Sequence, residues 1–399
     1  MKKIDLSNFR IADSATARDI NRRIILNLVR KHQPISRAEL ARRSGLQRST
    51  VSSIIDQLIN EKWVNEGAFG QVPRGRKPTL LYLNVERVGA IGINIQPNKT
   101  NIGLGTLDTH FIVLESLNTG RDPDKFIPTI TSRVVEIIRT HPEISYEGIG
   151  VSVPGRIDAK TNRLVFAPNL GWKNVDLKTP LEKATGLTVE LENAANACAL
   201  AELWSGQHPE EVRNLIAVTV SEGIGVGMVM NGQLIRGSTG MAGEFGHFTM
   251  LEDGPLCNCG NRGCWETLAS NNACVRFYTQ APPTQPTAKL PTTPTFEDIL
   301  RLAHQGDPKA NQAIEKMAHY LGLGISMLVV GFAPDLLVIV GTITQVWNKV
   351  EPIIQNIVAK HCQTGVKTRI VATDPATNPR LRGTIAMVLQ KHFSAPQIV

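Results

Sequence analysis

The chain has 399 residues, 42% of them apolar and 20% charged, a length that suits two or three domains with substantial cores. No uninterrupted apolar run approaches the roughly 18 residues of a membrane span, and no apolar segment follows the charged head Met1-Lys2-Lys3. Neither a transmembrane helix nor a secretory signal is therefore expected, and a cytoplasmic location is. The net charge of +8 is unevenly placed: residues 1–85 hold 16 Lys and Arg against 7 Asp and Glu, and the remainder holds 27 against 28. A basic module on a neutral body points to a polyanionic partner.

Residues 17–65 read as three helices. The first places Ile25, Leu28 and Val29 on one face at helical spacing. The second opens at Ile35-Ser36-Arg37-Ala38-Glu39-Leu40, where Ser36 can cap, Glu39 can complete a capping box and Ile35 can staple to Leu40. Ser44-Gly45 supplies a tight turn. The third helix buries Val51, Ile54, Ile55 and Leu58, which leaves Gln47, Arg48, Ser49, Thr50, Ser52 and Ser53 on a small polar face. Such a face suits the major groove: Arg48 can pair with guanine or phosphate, Gln47 with adenine, and the short hydroxyls let the backbone approach. Trp63-Val64 and Leu80–Leu83 read as two strands flanking a loop rich in Gly, Pro and Arg, which is a wing. Within it, Arg74, Arg76 and Lys77 lie in a Pro-bounded segment resembling an AT-hook, suited to the narrow minor groove of A/T-rich DNA. Residues 1–85 are thus expected to be a winged helix-turn-helix that binds double-stranded DNA.

From about residue 88 the pattern becomes α/β. Val88–Ile95 and Thr100–Leu107 read as a hairpin opening a sheet, followed by a helix at Phe126–Thr140 and a buried strand at Gly148–Val153. A helix follows at Asn193–Trp204, then strands at Leu215–Val220 and Gly225–Met230 that meet a turn at Asn231-Gly232. The stretch Ala281–Thr295 is rich in Pro and Thr and reads as a surface insertion. Helices cover about Phe296–Leu328, Leu336–Val340 is a strand, and a helix near Arg382–Phe393 closes the chain. Three of the six cysteines, Cys257, Cys259 and Cys264, fall within eight residues, bent by Gly260 and Gly263. A tetrahedral zinc would take His247 as its fourth ligand, in a closed structural Cys3His site. Cys198, Cys274 and Cys362 read as small core residues.

The run Gly243-Glu244-x-Gly246-His247, followed by Cys-x-Cys-Gly-x-x-Gly-Cys-x-Glu, resembles the ROK family (repressors, open reading frames and sugar kinases). With a wing ahead of the body, the chain is similar to its Mlc, NagC and XylR repressor branch. The resemblance implies a two-lobed, ribonuclease-H-like body of the actin and hexokinase type over residues 86–399. One lobe would span about 86–197 plus 375–399, and the other about 198–374 with the zinc loop. A sugar would lie in the cleft, touched by Gly155, Arg156, Asn193, Glu244, His247 and Glu266, with Asn169 as a further contact.

The kinases of this family place a proton-accepting carboxylate after the asparagine of an Asn-Asp pair, and here that position is Ala194. Losing a general base costs about 10²–10⁴-fold in rate. The first phosphate loop reads Asn94-Ile95-Gln96-Pro97-Asn98, lacking both carboxylate and glycines, the second carries Glu222, and Gly341-Thr342-Ile343-Thr344 lacks paired glycines. A sugar-responsive repressor without catalysis is expected, a homodimer or homotetramer on an A/T-rich palindrome. Ala194 would also admit a sugar 6-phosphate, with Arg156 as a cation. The competing readings are an active kinase carrying a DNA-binding arm, and a repressor controlled by a protein partner with a vestigial pocket.

Overall fold

The computed structural model describes residues 14–69, 78–158, 161–206, 212–282, 294–362 and 367–394. Helix α1 (Ser14–His32) leads through β1 (Ile35–Ser36) into α2 (Arg37–Ser44) and α3 (Arg48–Asn60). Strands β2 (Val64–Phe69) and β3 (Thr79–Leu83) follow, in a sheet ordered β1-β3-β2. The expected cap is present: Ser36 Oγ accepts from the Glu39 amide at 3.2 Å, and Gly45 closes α2 at φ +73°. The capping box is only half made, because the Glu39 carboxylate turns along the helix to pair with Arg43 at 2.7 Å and with Arg42. Leu26 takes the buried place in α1 expected of Leu28, which is half-buried.

The body contains two five-stranded sheets of matching plan. In the first, β4 (Val88–Ile95), β5 (Lys99–Thr106) and β6 (Phe111–Asn118) form an antiparallel meander, and α4 (Pro123–Thr140) leads to β7 (Ser145–Val153). A small sheet of β8 (Arg156–Asp158), β9 (Arg163–Ala167) and β10 (Trp172–Val175) comes next, then α5 (Lys178–Thr185) and β11 (Val189–Asn193). Strand β7 runs parallel to β4, and β11 parallel to β7, giving the order β11-β7-β4-β5-β6. Helix α6 (Ala194–Ser205) crosses to the second sheet, which starts with β12 (Leu215–Val220), β13 (Ile224–Met230) and β14 (Gln233–Leu234). After α7 (Glu266–Ala269), α8 (Asn271–Thr279), α9 (Phe296–His304) and α10 (Pro308–Phe332) come β15 (Leu336–Val340), α11 (Trp347–His361), β16 (Arg369–Ala372) and α12 (Pro379–Leu389). The order β14-β13-β12-β15-β16 repeats the antiparallel meander with two added parallel strands. Two such sheets, with helices around them, make the two-lobed sugar-kinase-like body. The hairpin, the helix at 123–140 and strand β15 lie where expected.

Helices α6 and α12 pack against each other, α6 also against β12 and β13, and α12 against β4 and β7. The sequence Ala194-Ala195-Asn196-Ala197-Cys198-Ala199-Leu200-Ala201 is small and nearly apolar all round, as a helix enclosed on several sides must be. The two helices approach so closely that a Cβ on Gly383 would lie 1.9 Å from the Ala197 carbonyl oxygen. Helix α10 is long and apolar enough to cross a membrane, but 61% of its most apolar window is buried, and its inner face fills the second lobe's core.

The helix-turn-helix core is not closed on itself. Ile25, Leu40, Ile55, Leu58 and Trp63 share one buried cluster with Val88, Ile385, Val388, Leu389 and Phe393 of the body. Polar contacts fix the same junction: Arg23 Nη1 donates to the carbonyls of Lys391 at 2.6 Å and Ser394 at 2.8 Å, and Asn27 Nδ2 to that of Phe393 at 2.7 Å. The Arg30 guanidinium lies 3.9 Å from the Trp204 ring centroid and 5.4 Å from that of Phe393, and donates to the Trp204 carbonyl at 2.6 Å.

Candidate functional site

Helix α3 presents the face expected of a recognition helix. Gln47, Arg48, Ser49 and Ser53 are exposed, and Thr50 and Ser52 are half-buried. Gln47 occupies the N-cap position without a side-chain capping bond, so its amide remains available to a base edge or phosphate. Arg37, beside this face, is held by Asp56 at 2.7 Å and Glu66 at 3.0 Å, hydrogen bonds that raise its pKa against the opposing effect of burial. Strands β2 and β3 pair antiparallel and carry the wing. Arg74, Arg76 and Lys77 lie outside the described residues.

Between the two five-stranded sheets is a cavity of about 540 Å³. Every residue expected at the sugar lines it: Gly155, Arg156, Asn169, Asn193, Glu244, His247 and Glu266. Local chemistry explains their placement. Asn193 caps α6, its Oδ1 accepting from the Ala195 amide at 2.8 Å, while its Nδ2 donates to the Gly155 carbonyl at 3.0 Å. One amide thus ties the β7–β8 turn to the start of α6, leaving its second hydrogen and lone pair for a ligand. At Gly155 a side chain is excluded, since a Cβ would lie 2.4 Å from the Phe166 carbonyl oxygen. Glycines 243 and 246 bracket Glu244 for a similar reason: a Cβ on either would meet a β13 carbonyl oxygen at 2.2 or 2.1 Å. That close packing aims Glu244 and His247 into the cavity.

The electrostatics are those of a polar binding site. Desolvation in the cleft pushes the Glu244 carboxyl above its ordinary range, with His247 opposing and Glu266 reinforcing the shift. His247 Nδ1 lies 3.6 Å from Glu266 Oε1, and Nε2 lies 3.9 Å from Glu244 Oε2, so the ring sits between two carboxylates. Ala194, Gln96, Pro97 and Glu222 line the same cavity. Asn94, which opens the first loop, is buried and accepts from Ser152 Oγ at 2.9 Å.

The structure also brings in residues that the sequence reading missed, among them Thr219, Met241 and Arg380. Arg380 lies outside the helix expected near Arg382–Phe393. Pro379 at the first helical position is the signal that could have moved that boundary.

His247, Cys257, Cys259 and Cys264 converge, their ligand atoms all within 4.8 Å of one another. Cys259 and Cys264 sulfurs are 3.7 Å apart, and Cys257 Sγ is 3.6 Å from His247 Nδ1. A tetrahedron with Zn–S bonds of about 2.3 Å has edges of about 3.8 Å, so the cluster has the right size for zinc. His247 turns Nδ1 toward the sulfurs and Nε2 toward Glu244. Burial, with Glu266 beside it, pushes the Cys257 thiol up, and burial raises Cys264 to about 11, shifts that a bound cation would reverse. Cys198 and Cys274 are core residues as expected, and Cys362 is partly exposed.

Comparison with known proteins agrees with this arrangement. A model of winged helix-turn-helix DNA-binding domains matches residues 18–65. The xylose repressor of Bacillus subtilis (strain 168) is 34% identical over 342 residues, covering 84% of this chain and 85% of that protein. A glucokinase of Streptomyces coelicolor is 34% identical over 260 residues, covering 63% of this chain and 81% of that enzyme. The crystal structure of a ROK family transcriptional regulator, a homologue of the E. coli Mlc protein, superposes with a TM-score of 0.79 at 25% identity, covering 95% of this chain and 98% of that one. The model of the ROK family itself matches residues 90–391, the whole two-lobed body with its cleft and cysteine loop, and the chain belongs to the ROK family.

Proposed function

We propose that the protein is a sugar-responsive, DNA-binding transcriptional repressor whose kinase-like cleft binds its ligand without phosphorylating it. One observation supports this reading: helix α12 connects the cavity to the helix-turn-helix core. Arg380, in its first turn, lines the cavity, while Ile385, Val388 and Leu389 belong to the helix-turn-helix core. The helix is only about 16 Å long. A ligand that shifts the closure of the cleft would therefore move the surface on which the DNA-binding module is seated. To alter operator occupancy it must bind one arrangement better than the other.

Gln47, Arg48, Ser49, Thr50, Ser52 and Ser53 would read the major groove, and Arg74, Arg76 and Lys77 the adjacent minor groove of an A/T-rich, palindromic operator. A homodimer or homotetramer fits such an operator. The sugar would be held by Asn193, Glu244, His247 and Glu266, with Gly155, Arg156 and Asn169 as further contacts. Zinc on His247, Cys257, Cys259 and Cys264 would fix the His247 ring, so that Nε2 faces the ligand. The resemblance to glucokinases favours a second reading, an active kinase. Ala194 weighs against it: a methyl group at the start of α6 cannot take the proton from an attacking hydroxyl. Operator selection from random duplexes with the full chain, together with an ATP-turnover assay over a sugar panel, tests the proposal. A bound palindrome with no turnover is expected, and sugar phosphorylation without specific DNA binding would overturn it.

A further inference from the structure

We infer that the cavity contains an anion subsite beside Ala194, centred on Arg380, and that the effector is a phosphomonoester of a sugar rather than a free sugar. The inference rests on the sugar-binding reading above and adds the chemical class of the ligand. It also replaces Arg156 as the expected cation: Arg156 is exposed at the rim, its Nη1 3.8 Å from Met241 Sδ.

Arg380 Nη1 donates to Gln96 Oε1 at 3.0 Å, and the guanidinium is near enough to the Cys198 thiol to oppose, weakly, the effect of burial on it. Both partners are neutral, since burial pushes the Cys198 thiol up to about 12. Arg380 Nε is buried and has no hydrogen-bond partner, and among the described residues Arg380 forms no ion pair with a carboxylate. A half-buried guanidinium on a cavity wall, with a donor unspent and no ion-pair partner among the described residues, is a site prepared for an anion.

Its position ties it to the ligand. Cys198 is four residues beyond Ala194 on α6, so the two share a helix face, and Ala194, Gln96, Ser221 and Arg380 all line the one cavity. Ala194 contributes neither bulk nor charge where an acid would repel a phosphate. Ser221 offers a hydroxyl, and Gln96, held by Arg380 through its oxygen, keeps its amide hydrogens for a phosphate oxygen. Glu222 is the opposing charge on this wall, and it is exposed to solvent. A phosphomonoester, with three oxygens and nearly two negative charges, suits a bidentate guanidinium better than a hydroxyl does.

The test is calorimetric titration of the full chain with matched pairs, glucose and glucose 6-phosphate, N-acetylglucosamine and its 6-phosphate, with inorganic phosphate as control. At least one phosphosugar should bind tenfold or more tightly than its free counterpart, and inorganic phosphate alone only weakly. Arg380→Met should abolish that preference while leaving free-sugar affinity within about twofold, and Arg380→Lys should retain part of it. Ala194→Asp, which leaves Arg380 in place, should weaken the phosphosugar at least tenfold and spare the free sugar, which guards against a folding defect in the arginine variant. A free sugar binding as tightly as its phosphate overturns the anion subsite but leaves the sugar-responsive reading intact. If no sugar and no phosphosugar binds, both fail.

Discussion

Truncating Phe393 should uncouple the two halves of the molecule. Its ring is 7% exposed and lies 4.8 Å from Trp204 and 5.8 Å from Trp63, with the Arg30 guanidinium at 5.4 Å. Burying such a ring and then removing it costs about 3–5 kcal/mol. Of this, the two edge-on aromatic contacts carry about 0.5–1.5 kcal/mol each, and the cation about 0.5–2 kcal/mol. The contacts reach both ways, to Trp63 and Arg30 of the DNA-binding module and to Trp204 of the body, so the cost falls on docking more than on either core. A loss of 3 kcal/mol shifts the docked population by a factor of roughly 150. Phe393→Ala should therefore split one calorimetric melting transition into two and speed hydrogen exchange at the α1–body junction. Effector titrations should then change operator affinity by less than twofold, while effector affinity itself stays near that of the parent. If Phe393→Ala leaves the effector response of DNA binding intact, coupling does not run through this junction.

Deleting residues 1–85 should abolish operator binding, measured by fluorescence anisotropy. Arg48→Ala should cost about 1–3 kcal/mol and relax discrimination at one base position, whereas Arg74→Ala with Arg76→Ala should weaken binding chiefly to A/T-rich duplexes and flatten its salt dependence. Mass spectrometry under native conditions should find one zinc per chain, and Cys264→Ser should lose it together with the ligand response. Glu244→Gln should melt higher than the parent at pH 8. The raised carboxyl pKa favours the fold at low pH, and that contribution is lost as pH rises through the folded value, so the advantage should vanish near pH 4. The same variant should bind sugar more weakly.

The recognition helix and the cysteine loop were legible because each obeys a short-range rule. The stripe Val51, Ile54, Ile55 and Leu58 needs only helical period, and Cys257, Cys259 and Cys264 need only ligand spacing. Glu39 shows where local rules stop: its carboxylate had a cap to complete and arginines one turn along, and the arginines won. Strand β6 was not anticipated, although its alternation of half-buried and exposed residues fits an edge strand with one wet face. Neither were β9, β10 or α11, short or broken patterns whose burial is set by distant partners. Arg380 was hidden for a deeper reason. Its meaning depends on Gln96, 284 residues away, and on Cys198, a juxtaposition produced only when α6 and α12 pack between the sheets. The shared core of Trp63 and Phe393 is equally invisible along the chain, because either residue alone reads as ordinary apolar filling.

The most direct test of a sugar-responsive repressor is to measure effector affinity twice, on the free protein and on the protein saturated with operator. Coupling between two sites is reciprocal, so a ligand that changes operator affinity by some factor must have its own affinity changed by the same factor. The account predicts that the effector's dissociation constant differs by tenfold or more between the two titrations, in the direction matching its effect on DNA, and that Phe393→Ala erases the difference. An effector that binds free and operator-bound protein equally well would contradict it.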